Sequence, residues 1–580
     1  MKSEGISDTA MLLIIGAAVA ITGLVWAWGG IAGLLFGGGW PHVSPGQLFE
    51  VLVHLPSELG DPASAWPPAV RSRLPAAAGF YAALGPLVLA VVLLASLLAR
   101  AGMSFLDRGA GARWASGSDL RALRRRRGRR AAGRLALGRR GAKVLYAERR
   151  HALIAFGPPQ SGKSAGLAVP ALLEWQGPAV ASSIKTDLLS ATVARRRQLG
   201  PVFVFDPFGL APVRSHTWSP LAGARTWDGA LEVAWRLTAA AEIDHGTVES
   251  GDFWAAAAEQ RLAPLLYTAA AADASMEAVV RWVYGQASRE LHEALATLAG
   301  VARDEHELHA AHAAYDAVRA FEAQADRTRS SIEATAQALL RAYRFSRVLR
   351  SARTSEITAD RILDGEATLY LIGDARASKL LRPIFLALLA EIVDRAYERA
   401  TRMGGRLEAP LLLCLDEAGN VAPLPNLGEI ASTAPSHNIQ LLTIFHDLAQ
   451  ARSRYRQQAE TVVNSHRARM LLPGIADLET LRYFSGLVGE QEVPDLTRTT
   501  GAGGTTRATG RRRRPLLAAE ALRQLPDGHA LLLYGRLPAV RVRLRLWFSD
   551  RRLRRLAAGG TASAPGPALP RATRSQAAPQ

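Results

Sequence analysis

Eight residues in the first third of the chain have the types and spacing of a phosphate-binding loop. Residues 157–164 match the pattern G-x-x-x-x-G-K-[ST]. Apolar residues 153–156 before the loop predict a strand, and residues 165–175 after it predict a helix. This order of strand, turn and helix aims backbone N–H groups and a helix N-terminus at phosphate. The predicted binding residues are Gly157, Pro158, Pro159, Gln160, Ser161, Gly162, Lys163 and Ser164.

The loop and a second motif together predict nucleotide chemistry. Lys163 is expected to reach the β- and γ-phosphates, and Ser164 to bind Mg²⁺. Residues 410–417 form an apolar run that ends in two carboxylates, Asp416 and Glu417. Asp416 is expected to hold Mg²⁺ through its water shell, and Glu417 to orient and deprotonate the attacking water. The pair predicts a P-loop ATPase that uses ATP and Mg²⁺, with Lys163 and Glu417 as its catalytic residues.

Apolar runs separated by helical patterns predict the scaffold that positions these motifs. Most of the runs are continuous rather than alternating, which is typical of a parallel sheet covered by helices on both faces. The predicted fold is therefore a doubly wound α/β core with a mostly parallel sheet. The runs occupy residues 144–156, 178–184, 201–207, 367–374, 410–416, 439–445 and 467–472.

Three further stretches lie in or after the predicted α/β core. Residues 226–351 are rich in Ala, Glu, Arg and Leu and predict an all-helical insertion, which either meets substrate or covers an edge of the sheet. Residues 530–548 predict a closing hairpin. Residues 499–514, rich in Gly, Thr and Arg, are interpreted as a flexible surface loop that could contact phosphates.

Charge and cysteine content narrow the function classes. The net charge of +19 indicates an anionic partner, either nucleic acid or lipid head groups. Part of this charge also reflects the arginine- and alanine-rich composition of the genome. The single cysteine, Cys414, excludes a disulfide framework or a cysteine-based metal site within one chain.

Two charge-free runs near the N-terminus predict a membrane anchor. Residues 9–39 and 74–99 each contain a stretch long enough to span a bilayer. The first run is too long for a signal peptide and lacks a clear cleavage site. Arginines beyond residue 99 outnumber those between the runs, so the positive-inside rule predicts a multi-pass protein with both termini in the cytoplasm. The arginine run at 124–130 fits a topology signal with lipid contact better than DNA contact.

The predicted organisation has five parts. Residues 1–105 form the anchor, with transmembrane helices at about 11–36 and 76–99. Residues 106–220 and 356–555 form the two halves of the ATPase core, residues 221–355 form the helical insertion, and residues 556–580 form a disordered tail rich in Ala, Pro, Gly and Ser.

The order and spacing of the motifs resemble the TraG/TraD family of type IV secretion coupling proteins. The resemblance implies a RecA-like P-loop motor with an all-α domain, assembled as a homo-hexamer in the bacterial inner membrane. It also implies ATP hydrolysis coupled to DNA translocation, with relaxase-bound single-stranded DNA and type IV secretion channel proteins as partners in conjugation. The residues that carry it are the membrane pair and residues 111–115, 157–164, 205–207, 381–383, 413–418 and 447–450.

The chain departs from the family pattern at two positions. Relatives often carry an arginine after the second motif that reaches a neighbouring subunit's nucleotide, whereas residues 432–437 contain none. Arg382, Arg467 or Arg469 could supply that charge. His446 stands where a sensor glutamine usually precedes Asp447, and His446 and Gln450 are the sensor candidates. Nucleotide binding is therefore predicted more firmly than fast hydrolysis.

The sequence leaves other functions open. An FtsK-like chromosome translocase would normally show more membrane helices and a long linker before its motor. An exporter of protein would use the helical insertion to bind a peptide signal. A third alternative is an ATP-binding receptor that docks protein or nucleoprotein with little hydrolysis, which the two departures favour. The chain shows no nuclease or relaxase motif.

Overall fold

The computed structural model describes residues 8–106, 111–124, 133–244, 251–285, 288–501 and 504–559. The chain divides into two compact units, Met1–Ala110 and Gly111–Gln580. The arginine run after Arg124 lies outside the described residues, and so does the predicted tail beyond residue 559.

The N-terminal unit is helical. Two stretches, Val19–Phe36 and Ala77–Ser96, are long and apolar enough to cross a membrane by length and composition. Trp28, Trp66 and Phe80 form its small buried core, and the Trp28 indole N–H donates to the Phe80 carbonyl over 2.7 Å. The helices are α1 (Asp8–Phe36), α2 (Pro45–His54), α3 (Pro68–Arg71), α4 (Ala77–Ala82) and α5 (Leu84–Leu106).

The second membrane stretch is divided, which the predicted single helix at 76–99 did not foresee. Helix α4 ends at Ala82, and α5 begins at Leu84. Pro86 explains the break, because it has no N–H to donate to the carbonyl of Ala82 one turn earlier.

The second unit is built on an eleven-stranded sheet. The strand order is β2-β1-β13-β12-β9-β3-β8-β7-β4-β6-β5, and the seven strands from β9 to β5 run parallel. This confirms the predicted mostly parallel sheet. The strands are β1 (Ala136–Arg140), β2 (Lys143–Tyr146), β3 (Leu153–Phe156), β4 (Ala179–Ser183), β5 (Val202–Phe205), β6 (Thr368–Ile372), β7 (Leu411–Leu415), β8 (Ile439–Phe445), β9 (Ala468–Leu471), β10 (Glu490–Gly501), β11 (Gly504–Pro515), β12 (His529–Tyr534) and β13 (Val540–Arg543).

Hydrophobic cores lie on both faces of this sheet. Along β3, Ile154 and Phe156 join one core while Leu153 and Ala155 join the other, because successive side chains point to opposite faces. Burial on both faces explains why the strand sequences are continuous apolar runs.

Helices cover the sheet and fill the predicted insertion. Every described regular element between β5 and β6 is helical, as predicted, and α8 packs against both α9 and α16. The domain limits at 220 and 355 remain predictions. The helices are α6 (Val169–Glu174), α7 (Asp187–Leu199), α8 (Trp227–Asp244), α9 (Gly251–Ala271), α10 (Met276–Tyr284), α11 (Ser288–Gly300), α12 (Glu305–Glu322), α13 (Asp326–Leu340), α14 (Ser346–Ser351), α15 (Ala359–Leu363), α16 (Ala375–Arg402), α17 (Leu427–Thr433), α18 (Leu448–Tyr455), α19 (Ala459–Ser465), α20 (Leu478–Val488), α21 (Ala519–Arg523) and α22 (Arg551–Ala557).

Two local predictions were wrong. Residues 499–514 are not a loop, because β10 and β11 pair along their length as an antiparallel two-stranded ribbon. Threonines favour extended backbone, and the partner strand supplies the hydrogen bonds that a loop would lack. The predicted tail also begins too early, because α22 continues to Ala557.

Candidate functional site

The two predicted motifs meet in one cleft at the carboxyl ends of β3 and β7. The cleft has a volume of about 530 Å³, and residues 159–165 form one side of it together with Asp416 and Glu417. Strand β8 lies between β3 and β7, so the loop after β8 reaches the same place. Parallel strands thus bring three chain segments to one edge of the sheet.

The phosphate-binding loop has the backbone that its glycines allow. Gly162 has a φ of +88°, a conformation that other residues rarely adopt. A Cβ on Gly157 would lie 2.5 Å from the Ser161 hydroxyl, so the start of the loop needs glycine for close approach. The predicted helix follows, as a π-helical turn at Ser164–Ala168 that continues into α6.

Asp416 and Ser164 form a buried oxygen cluster. The Ser164 hydroxyl donates to Oδ2 of Asp416 over 2.6 Å, and Asp416 is 3% exposed. Its other oxygen, Oδ1, is buried with no hydrogen-bond partner. Burial raises the pKa of Asp416 to about 6, against the opposing effect of the Ser164 hydrogen bond. A buried carboxylate with an unsatisfied oxygen beside a hydroxyl fits the hard oxygen ligands that Mg²⁺ prefers.

His446 links Lys163 to Glu417. The ring Nε2 lies 3.0 Å from Glu417 Oε2, and the ring Nδ1 lies 3.5 Å from Lys163 Nζ. Since the ammonium can only donate and the carboxylate only accept, a neutral ring with its proton on Nε2 satisfies both contacts. Lys163 Nζ also lies 3.9 Å from Glu417 Oε1. These three side chains therefore form one connected polar group.

The charges of this group follow from its surroundings. Burial lowers the pKa of Lys163, while Glu417 and Asp416 oppose the shift. Burial acts to raise the pKa of Glu417, but hydrogen bonds from His446 and Asn420 outweigh it, so that pKa is lowered. Glu417 is thus held ionised, as a residue that accepts a proton from water must be at neutral pH.

Further polar contacts orient Glu417. It has a φ of +60°, an unfavourable backbone conformation that is often found at active sites. Asn420 donates to Glu417 Oε2 over 2.8 Å, and Gln450 donates to Asn420 over 3.4 Å while accepting from the His446 backbone N–H over 2.8 Å. Sequence reasoning missed Asn420, although its place in the turn after Glu417 could have indicated it.

Comparison with known proteins shows a clear relationship. The profile of the type IV secretory system conjugative DNA transfer family matches residues 113–571. The chain belongs to this family. It is 24% identical over 455 residues to the conjugal transfer protein TraG of Escherichia coli, covering 69% of this chain and 67% of TraG. It is 22% identical over 432 residues to VirD4 of Rhizobium rhizogenes, covering 72% of this chain and 61% of VirD4.

Solved structures show the same fold. The plasmid coupling protein TrwB in complex with ADP and Mg²⁺ matches with a TM-score of 0.54 at 18% sequence identity, covering 75% of this chain and 93% of TrwB. An unbound form of the coupling protein TrwB matches with a TM-score of 0.54 at 19% identity. The predicted fold class and family are therefore confirmed.

The three arginines considered for the family's trans-acting charge lie outside the chain's own cleft, and their role towards a neighbouring subunit stays a prediction. The described residues that line the cleft include none of them. Arg382 is 4% exposed in α16. Arg469 donates to the carbonyls of Val463 and Asn464, whereas the Arg467 side chain is exposed.

The rest of the cleft comes from residues that sequence reasoning did not assign. Lys185 and Asp187 follow β4, and their position at the end of a predicted strand was the available signal. Residues 527–528 and 546–548 lie near the closing hairpin, where no motif marks them. Leu546 and Phe548 both line the cleft.

Proposed function

We propose that this family member is a membrane ATPase that recruits DNA, as a relaxase-bound single strand, and drives it into a type IV secretion channel. The observation that carries the proposal is the single cleft lined by Lys163, Ser164, Asp416 and Glu417, with His446 bonded to two of them. Family membership supports conjugative DNA transfer as the process.

The cleft residues fit ATP and Mg²⁺. Ser164 and Asp416 would hold the cation, which neutralises charge on the phosphates when bound. The loop at 157–164 would bind the phosphates, with Lys163 at their terminal end. Glu417 is ionised and would accept a proton from the attacking water, with His446 and Asn420 fixing its orientation. The relative TrwB has been crystallised with ADP and Mg²⁺, which supports these ligands.

Location and partners form part of the same proposal. The two apolar stretches and the arginines that follow them support a multi-pass inner-membrane protein with both termini in the cytoplasm. The net charge of +19 supports an anionic partner. The exposed Arg512 and Arg514 of the ribbon are available for phosphate contact. A homo-hexamer that contacts secretion channel proteins completes the proposal by analogy with the family.

An ATP-binding receptor is the second candidate function. It is favoured because residues 432–437 supply no arginine that could reach a neighbouring subunit's nucleotide. Such a receptor would dock protein or nucleoprotein and hydrolyse ATP slowly.

ATP hydrolysis by full-length protein in lipid bilayers separates the two candidates. We expect single-stranded DNA to stimulate ATP turnover. We expect Lys163→Ala to reduce turnover about 100-fold or more, because the ammonium group that stabilises negative charge on the phosphates is lost. Lys143→Ala, at an exposed lysine of β2, is the matched control and should behave as wild type.

The opposite result would have a definite meaning. Turnover equal in wild type and Lys163→Ala, at every DNA and salt concentration, would contradict the motor. Retained ATP binding in that case would support the receptor.

A further inference from the structure

We propose that Phe548 forms the nucleobase subsite of the cleft and stacks on the base of the bound nucleotide. This inference rests on the proposed function, because it assumes that the loop at 157–164 binds the nucleotide's phosphates. It assigns a ligand-contacting role to a residue that lies outside both nucleotide-binding motifs.

The sheet order and the lining of the cleft together indicate where the base lies. Lys163, Asp416 and Glu417 form the part of the cleft at the ends of β3, β8 and β7. Strands β9, β12 and β13 lie on the other side of β3. A nucleotide is a linear chain of phosphates, ribose and base, so with a terminal phosphate beside Lys163 the base extends to one side. The cleft also continues past β7 to residues 183–188, but Phe548 is the one aromatic residue among the described residues that line it, which favours the β13 side. The residues after β13 line the cleft on that side.

The residues after β13 are anchored on the phosphate-binding loop itself. The backbone N–H of Trp547 donates to the carbonyl of Ala165 over 3.0 Å, and Ala165 directly follows Ser164. Leu546 packs over the loop so closely that a Cβ on Gly162 would lie 3.3 Å from its Cδ2. Phe548 therefore lies two residues from Leu546, which packs on the loop, and next to Trp547, which bonds to the residue that follows it.

Phe548 presents an aromatic surface that the chain itself does not cover. The side chain is 47% exposed although it lines a cleft. The Trp547 ring lies edge to face against it, with centroids 6.1 Å apart at an angle of 80°. An open aromatic face in a concave, partly apolar site is suited to stacking on a planar ring.

A buried ion network fixes the segment that carries Phe548. Arg545 is 4% exposed and donates to both carboxylate oxygens of Glu174, over 2.6 and 3.0 Å, and to Asp550 over 3.1 Å. Asp550 in turn caps α22 by accepting from the backbone N–H groups of Arg552 and Leu553. Because both ends of the segment 545–550 are held, Phe548 is positioned before ligand arrives, which reduces the entropy cost of binding.

The test compares a ligand that has a base with one that has none. Dissociation constants for MgATP and for magnesium tripolyphosphate are measured on the full-length protein. We expect Phe548→Ala to weaken MgATP about fivefold to 100-fold, the range that loss of base stacking gives, with tripolyphosphate affinity unchanged. Phe548→Tyr keeps the ring and should bind MgATP as wild type does. Phe253→Ala removes a 58% exposed aromatic of α9 and is the matched control.

Three results would overturn the inference. Equal weakening of both ligands would show that Phe548 only supports the phosphate-binding loop. Unchanged MgATP affinity would show that the base does not reach Phe548. A changed assembly mass in Phe548→Ala, with MgATP affinity retained, would make the residue a subunit contact. Failure of the proposed function would appear differently, as a Lys163→Ala variant that binds both ligands like wild type.

Discussion

The two walls of the cleft are built in different ways. The wall at the ends of β3, β7 and β8 consists of polar side chains that bond to one another, such as Ser164 to Asp416 and His446 to Glu417. The opposite wall presents Leu546 and Phe548, and the ions that hold it, Arg545 and Glu174, are not among the residues that line the cleft. The first wall presents a bonded network of charged groups. The second presents Asp527 and two apolar side chains, with an ion network behind them.

This difference suggests that the polar wall takes part in the chemistry and that the opposite wall positions the ligand. The polar wall keeps buried charges and an unfavourable backbone at Glu417, which cost stability and are typical of functional sites. The opposite wall has satisfied ions, so its arrangement contributes rigidity. Substitutions in the first wall should therefore change rates, and substitutions behind the second should change stability and affinity.

The largest effect is expected from Glu417→Gln. Removing the carboxylate that we propose as the acceptor of the water proton should lower turnover by about 10²- to 10⁴-fold. MgATP affinity should change little, since the amide preserves the side chain's shape. Steady-state hydrolysis and equilibrium ATP binding measure the two effects, and Glu408→Gln, an exposed glutamate before β7, is the control. Turnover of Glu417→Gln equal to that of wild type would contradict a role for Glu417 in the chemistry.

The next effect concerns Arg545→Met, which breaks the ion network behind the opposite wall. Glu174 and Asp550 would be left without their buried partner, so we expect the free energy of unfolding to fall by about 3–5 kcal/mol. Urea unfolding followed by tryptophan fluorescence measures the change, and MgATP affinity should weaken with it.

Arg552→Ala supplies the comparison for that variant. Arg552 lies 3.6 Å from the same Glu174 but is 60% exposed, so its loss should cost less than about 1 kcal/mol. Equal costs for the two substitutions would contradict the special role of the buried arginine.

The smallest effect is a pH dependence at Asp416. Its pKa is raised to about 6 in the folded protein, so the unfolded chain, with a lower pKa, loses its proton first as pH rises. Protonated Asp416 therefore contributes fully to the free energy of unfolding below about pH 4. This stabilising contribution is lost progressively as the pH rises from about 4 to about 6. Asp416→Asn cannot ionise, so relative to wild type it should gain about 2–3 kcal/mol of stability between pH 4 and pH 7 in Mg²⁺-free buffer.

Unfolding of both proteins across this pH range tests that prediction. Parallel stability curves for wild type and Asp416→Asn would show that burial of this carboxylate has no cost. Adding MgADP should stabilise wild type more than the variant, because the cation needs the carboxylate.

Most of the polar wall could be predicted from the sequence because its residues lie in short motifs that follow apolar strands. The contact between His446 and Glu417 could not, since it depends on β7 and β8 being neighbours in the sheet. Phe548 carries no local signal at all. Its place in the cleft results from the antiparallel return of β12 and β13 beside β9, which brings the end of the chain back to the loop at 157–164.

The ribbon of β10 and β11 is a second feature that local sequence could not predict. Residues 504–514 lie in a stretch with the composition of a loop, and only their pairing with residues 490–501 makes them a strand. Local composition cannot reveal a partner strand, because its hydrogen bonds come from another part of the chain.

The ribbon of β10 and β11 also bears on how the protein avoids self-association. Each of its strands has an outer edge that pairs with no further strand among the described residues, apart from a single bridge between Gln491 and Gly111. Long open edges invite pairing between copies and aggregation. Pro494 removes one N–H from the edge of β10, and the four consecutive arginines at 511–514 would repel a second ribbon placed alongside. We therefore expect the arginines to disfavour edge-to-edge pairing of two copies of the ribbon.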